Sequence, residues 1–151
     1  MPPRLHHIID LGVFAAANIT NLLLVVMFAA RGRKNERIEK VTGLIVVVLG
    51  LPLAAAAVLN AIGRRSAWTW GLPLLMVLFC AVEYIVDYAR KVEFRTTRAM
   101  KPYLILFYLA LMAMVGYSFL LGRTFGYVTL ATYFLQMGAT AYSFGRVKHG
   151  A

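Results

Sequence analysis

The sequence predicts an all-α integral membrane protein: one transmembrane domain over residues 1–151, built as a bundle of five helices, N-terminus outside and C-terminus in the cytoplasm. Three observations carry this. Hydrophobic residues make up 61% of the chain and the mean hydropathy is +0.72, whereas an ordinary soluble domain is about half apolar. The excess is gathered into runs near the length of about 20 residues that crosses a bilayer core. The basic residues fall between those runs and favour alternate ones, as the positive-inside rule requires.

The first predicted span, 9–30, begins DLGVFAAANIT and ends before RGRKNERIEK. Its apolar stretch exceeds the roughly 7–15 residues of a signal-peptide core, so it reads as a span. The second, 41–62, is VTGLIVVVLGLPLAAAAVLNAI. Pro52 has no N–H, so the Val48 carbonyl loses its helical partner, and Gly50 with Pro52 marks an expected kink. Gly50, Ala54, Ala57 and Ala61 give small residues four or three apart that permit close helix packing. The third and fourth spans, 72–89 and 103–121, have Pro73 and Pro102 near their starts, where a missing N–H is harmless. The fifth, 127–145, follows GRTFG, read as the tight turn of an antiparallel helical hairpin.

Orientation follows from the arginines and lysines. On one side lie Arg4, Arg64, Arg65 and Arg123, four in all; the remaining twelve of the 16 fall on the other. That excess marks the cytoplasmic side of a multi-pass protein of a prokaryotic inner membrane. Aromatic residues collect at both interfaces: Trp68, Trp70, Phe125 and Tyr127 at one, Tyr84, Tyr88, Tyr103, Tyr142 and Phe144 at the other. The net charge of +10 then points to an anionic inner leaflet rather than nucleic acid. Arg31, Arg33, Lys34, Arg90, Lys91, Arg95 and Arg98 are the expected headgroup contacts.

The costly residues stand out against this background. CAVEYIVDYARKVEFR, 80–95, places Glu83 and Asp87 four apart near the inner end of the third span. On an α-helix Asp87 reaches the headgroup level, where Arg90 and Lys91 answer it. Glu83 lies about 16 Å along from Leu72, still in hydrocarbon, and its own helix offers it only a like charge. It is therefore neutral or paired across helices, and an ionisable residue at depth is a functional candidate. Asn18 and Asn21 in the first span and Gln136 in the fifth are the expected partners; they either glue helices together or line one polar path with Glu83 and Asp87 as an ion or proton site.

Several chemistries are excluded or disfavoured. Cys80 is the single cysteine, so no intramolecular dithiol exists. There is no Gly-rich phosphate loop and no HExxH motif, and no cofactor, metal or catalytic residue is expected. His6, His7 and Asp10 have ligand-like spacing, but the membrane separates them from Glu83 and Asp87. The sequence thus favours an accessory or interaction subunit of a membrane complex. A small proton- or cation-coupled transporter or channel using Glu83 is the alternative, and a lipid-modifying enzyme the third. The implied partners are the bilayer with its anionic inner leaflet and either further copies of the chain or a larger membrane complex.

Overall fold

The structure, a computed structural model, describes residues 2–89 and 100–148, the side chains of 147 and 148 excepted. Among these residues there are five α-helices and no strand: α1 (Pro3–Gly32), α2 (Glu36–Ile62), α3 (Ala67–Glu83), α4 (Met100–Leu121) and α5 (Arg123–Lys148). A π-helical turn, Tyr84–Ala89, prolongs α3. Helix α1, with 30 residues, is about 45 Å long, beyond the roughly 30 Å of a hydrocarbon core. Helices α1, α2, α4 and α3 with its π turn are long and apolar enough to cross a membrane. Helix α5 has 26 residues but carries Thr129, Thr132, Gln136, Thr140 and Ser143 along its length, which makes it less apolar than the rest.

The helices close a ring: α1 packs on α2, α2 on α3, α3 on α4, α4 on α5 and α5 back on α1, with α1 also touching α4. The residue distribution is inverted relative to a water-soluble fold. Leu51, Val58, Leu78, Ile105, Leu109 and Phe134 are exposed, whereas Asn21, Asn60, Glu83, Ser118, Thr129 and Gln136 are buried. In water such a surface would be one large apolar patch. In lipid the same arrangement is stable, because polar groups find partners inside the bundle.

The links are short and their local chemistry is visible. After α1, Lys34 takes a left-handed φ of 58°, and Asn35 caps α2 by accepting a hydrogen bond from the Ile38 N–H at 3.2 Å. Glu36 and Glu39 in the first turn of α2 suit its positive N-terminal end. After α2, Arg64 is left-handed at φ 52°, which turns Arg65 back toward α1. The expected loop GRTFG is not a loop. Gly122 alone joins α4 to α5, with φ +152°, a conformation that favours glycine. Residues 123–126 already belong to α5, and a Cβ at Gly126 would overlap the Phe119 ring of α4. The glycines of that segment mark a one-residue link and a close approach.

Helix α2 carries Pro52 within its length, at an exposed position. Gly50 faces the other way, where a Cβ would lie 2.9 Å from the Cβ of Cys80; it lets α2 and α3 approach closely. The α-helical register beyond Glu83 fails. In the π turn, bonds run to the fifth residue on, and Asp87 is half-buried. Its expected pairing with Arg90 or Lys91 lies outside the described residues, as do Arg95 and Arg98.

Candidate functional site

Three polar assemblies lie along the bundle, one at each end and one between. The end carrying the α1–α2 link is called the basic end. There the five helices line a partly open cavity of about 360 Å³. Its walls are apolar: Leu24, Met27 and Phe28 from α1, Val46 from α2, Phe79 from α3, Phe107 from α4. The rings of Phe28 and Phe107 lie 6.2 Å apart, Phe107 and Phe79 5.2 Å, and Phe79 and Tyr103 5.9 Å, a continuous aromatic wall.

Glu83 opens onto this cavity. It is 7% exposed and accepts a hydrogen bond from the Tyr103 hydroxyl. One partner is therefore on the fourth helix, where the sequence suggested the first or fifth. The α1 residues facing the cavity are Leu24 to Arg31, about one to three turns nearer the basic end than Asn21. Arg31 closes one side, with Nε 2.7 Å from Oε1 of Glu39 and its guanidinium 5.1 Å from the Phe28 ring centre. Its charge is met inside the protein, while Arg33 and Lys34 are exposed as headgroup contacts must be. Among the described residues, titratable and charged groups near Glu83 include Cys80, Tyr103, Asp87, Tyr88, Arg31 and Glu39. Thr140 and Ser143 complete the cavity from α5.

The second assembly is a seam between α1, α4 and α5. On α5, Thr129, Thr132, Gln136, Thr140 and Ser143 recur at intervals of three or four and so share one face, extending about 21 Å. Asn18 Nδ2 donates to Thr129 Oγ1 at 3.1 Å, and Thr129 Oγ1 donates to Ser118 Oγ at 2.8 Å. Thr132 Oγ1 donates to Asn18 Oδ1, and Asn21 Nδ2 donates to Thr132 Oγ1, both at 2.9 Å. Asn18 and Asn21 thus join the first helix to the fifth. Gln136 lies on the same face, fully buried, and donates to Thr140 at 2.8 Å. Its Oε1 accepts no hydrogen bond among the described residues. The seam runs from the centre of the bundle to the cavity, ending at Thr140 and Ser143.

The third assembly, at the opposite end, was not foreseen. Arg65 makes a two-pronged bond to Asp10, Nη1 to Oδ1 at 2.7 Å and Nη2 to Oδ2 at 3.0 Å. Tyr117 donates to Asp10 at 2.6 Å, and Asn60 Oδ1 accepts from Arg65 at 3.0 Å while its amide donates to the Thr69 carbonyl at 2.9 Å. The hydrogen bonds to Asp10 hold the Arg65 guanidinium above its ordinary pKa. A second cavity of about 230 Å³ lies here, with His7, Asp10, Arg65 and Phe125 among its walls. Asp10 is occupied by arginine and tyrosine, and among the described residues no three metal-ligating side chains come together. The sequence signal that could have found this end is modest: Asn60 and Arg65 five apart across a helix end, and Tyr103 and Tyr117 about four turns apart on α4, each meeting a carboxylate.

No protein family matches this chain, and neither a curated protein nor a solved structure does.

Proposed function

We propose that the chain is a five-span protein of a prokaryotic inner membrane, N-terminus outside and basic end in the cytoplasm, that exchanges a proton for a cation at Glu83. The observation that carries the reading is that Glu83 is buried from lipid and lines a cavity between helices. An ionisable side chain at membrane depth beside a cavity is a functional candidate. The seam of Asn18, Asn21, Gln136 and the α5 threonines supplies a polar path from that cavity toward the far end. Five spans account for α5, whose polar face is turned inward on α1 and whose outward residues, Tyr127, Val128, Phe134 and Leu135, are apolar and exposed.

The test is proton movement in proteoliposomes carrying an internal pH dye, on addition of sodium, potassium, tetramethylammonium or methyltriphenylphosphonium. At least one cation is expected to drive proton movement in the wild type and not in Glu83→Gln. If none of the four does so, the exchange reading falls. An accessory role in a larger complex is the second reading, supported by links too short to hold a soluble domain. Stable copurification with a larger membrane protein, together with absence of cation-driven proton movement, would establish it instead. No feature of the site favours lipid-modifying chemistry.

A further inference from the structure

Two polar atoms deep in the bundle have no hydrogen-bond partner among the described residues: Thr20 Oγ1 on α1 and Gln136 Oε1 on α5. Thr20 is 1% exposed and Gln136 0%, so neither reaches lipid or bulk solvent. Buried polar groups in native proteins are nearly always bonded, to protein or to ordered water. Other threonines here show the usual solution: Thr42, Thr129 and Thr140 each donate to the carbonyl four residues back. Turning the Gln136 amide over still leaves one end without a partner, because only the end at Thr140 is bonded. The two atoms belong to one level. Thr20 lies about one turn before Leu24, and Gln136 about one turn before Thr140; Leu24 and Thr140 both line the cavity at the basic end. Helices α1 and α5 run side by side toward that end, with Asn21 bonded to Thr132 and Gly32 against Tyr142. Helix α4 adds Ala110, fully buried and contributing only a methyl, three residues after Phe107 of the cavity wall. The hydrogen-bond chain of the seam breaks at this same level. It runs from Ser118 through Thr129, Asn18 and Thr132 to Asn21, then resumes at Gln136 and Thr140. Among the described residues no side-chain bond joins the two parts.

We infer that water is bound at this level, donating to Gln136 Oε1 and bonded to Thr20 Oγ1, and that it joins the seam to the cavity. A buried water makes about three hydrogen bonds to groups that the fold leaves unsatisfied. The Gln136 oxygen accepts, and the Thr20 hydroxyl can both donate and accept. The site lies one turn beyond the cavity, so water entering from the partly open basic end needs to pass only Leu24 and Thr140. With it the polar path becomes continuous from Ser118 to Ser143. The inference goes beyond the exchange reading of Glu83 and does not depend on it.

Gln136 is the only glutamine and Cys80 the only cysteine of the chain, so a 13Cδ label on one and a 13Cβ label on the other give one signal each. Water-edited solid-state NMR of the full chain in lipid bilayers measures how fast magnetisation passes from water protons to each carbon. Transfer to Gln136 is expected to be at least about threefold faster than to Cys80, because a water on the amide supplies it directly. Cys80 is itself buried, at 3% exposed, so burial alone predicts equal rates. Equal transfer to both carbons would overturn the inference. Gln136→Leu removes the acceptor and keeps a buried apolar side chain. Its unfolding midpoint should fall, since the water and the bond to Thr140 are both lost. A raised midpoint, as when an unpartnered acceptor leaves a dry core, would also overturn the inference. Glu83-dependent proton movement with slow transfer at Gln136 removes the water site and leaves the exchange reading standing. Fast transfer without proton movement does the reverse.

Discussion

The Asp10–Arg65 pair offers a quantitative test of the bundle. Its side chains are 14% and 22% exposed, between the fully buried and fully exposed limits. Breaking a buried pair costs about 3–5 kcal/mol, whereas an exposed pair contributes about 0–1 kcal/mol. Arg65→Met is therefore expected to cost about 2 kcal/mol, since it removes two charged hydrogen bonds and leaves Asp10 with Tyr117 alone. Asp10→Asn should cost a similar amount, because Arg65 then faces a neutral partner. In the double variant each penalty relieves the other, and a total of about 2.5 kcal/mol leaves a coupling of about 1.5 kcal/mol. Reversible unfolding in mixed dodecylmaltoside–SDS micelles, followed by circular dichroism, measures all four corners of the cycle. The sign with pH is also set. The hydrogen bonds to Asp10 raise the arginine pKa in the fold, so its contribution is complete below the ordinary arginine pKa and is lost only in stronger alkali. The penalty of Arg65→Met should therefore be flat between about pH 6 and 9. Additivity of the two single variants would refute the network as a stabilising unit.

Three further outcomes follow from the fold. In a Cys80→Ala background, Lys34→Cys and Gly145→Cys should react with an impermeant thiol reagent only from the cytoplasmic side, and Arg64→Cys only from outside; Gly145→Cys reacting with Arg64→Cys would show that α5 does not cross. Gly126→Ala should destabilise the α4–α5 hairpin by about 1–3 kcal/mol through overpacking, with recovery on adding Phe119→Leu, and an unchanged unfolding midpoint would contradict the close approach. Asn21→Leu should cost about 0.6–2 kcal/mol by losing its bond to Thr132 at 2.9 Å, read in the same micelle titration.

Much of the fold was legible because lipid is a simple solvent. Apolar length and the placement of arginine and lysine are one-dimensional signals, and they located the helices to within a few residues. What was missed were features set by neighbours. Gly50 with Pro52 reads as a kink in the sequence, and the close approach of Gly50 to Cys80 on another helix has no local signal. The π turn at Tyr84–Ala89 has no signature in an α-helical register. Within the site, Asn18, Asn21 and Gln136 were recognisable because a polar side chain in hydrocarbon is costly wherever it sits. Tyr103 and Tyr117 were not, because a tyrosine near a helix end reads as an interfacial anchor until a carboxylate is found beside it. Asp10 and Arg65 are 55 residues apart, and no local pattern links them.

The central claim is that Glu83 is an exchange site facing a cavity. The direct measurement is the number of protons released per chain when sodium, potassium, tetramethylammonium or methyltriphenylphosphonium is added to detergent-solubilised protein in weakly buffered solution, wild type beside Glu83→Gln. The account predicts, with at least one of these cations, a saturable release of up to one proton from the wild type and none from the variant. Equal release from both proteins with every cation would contradict it.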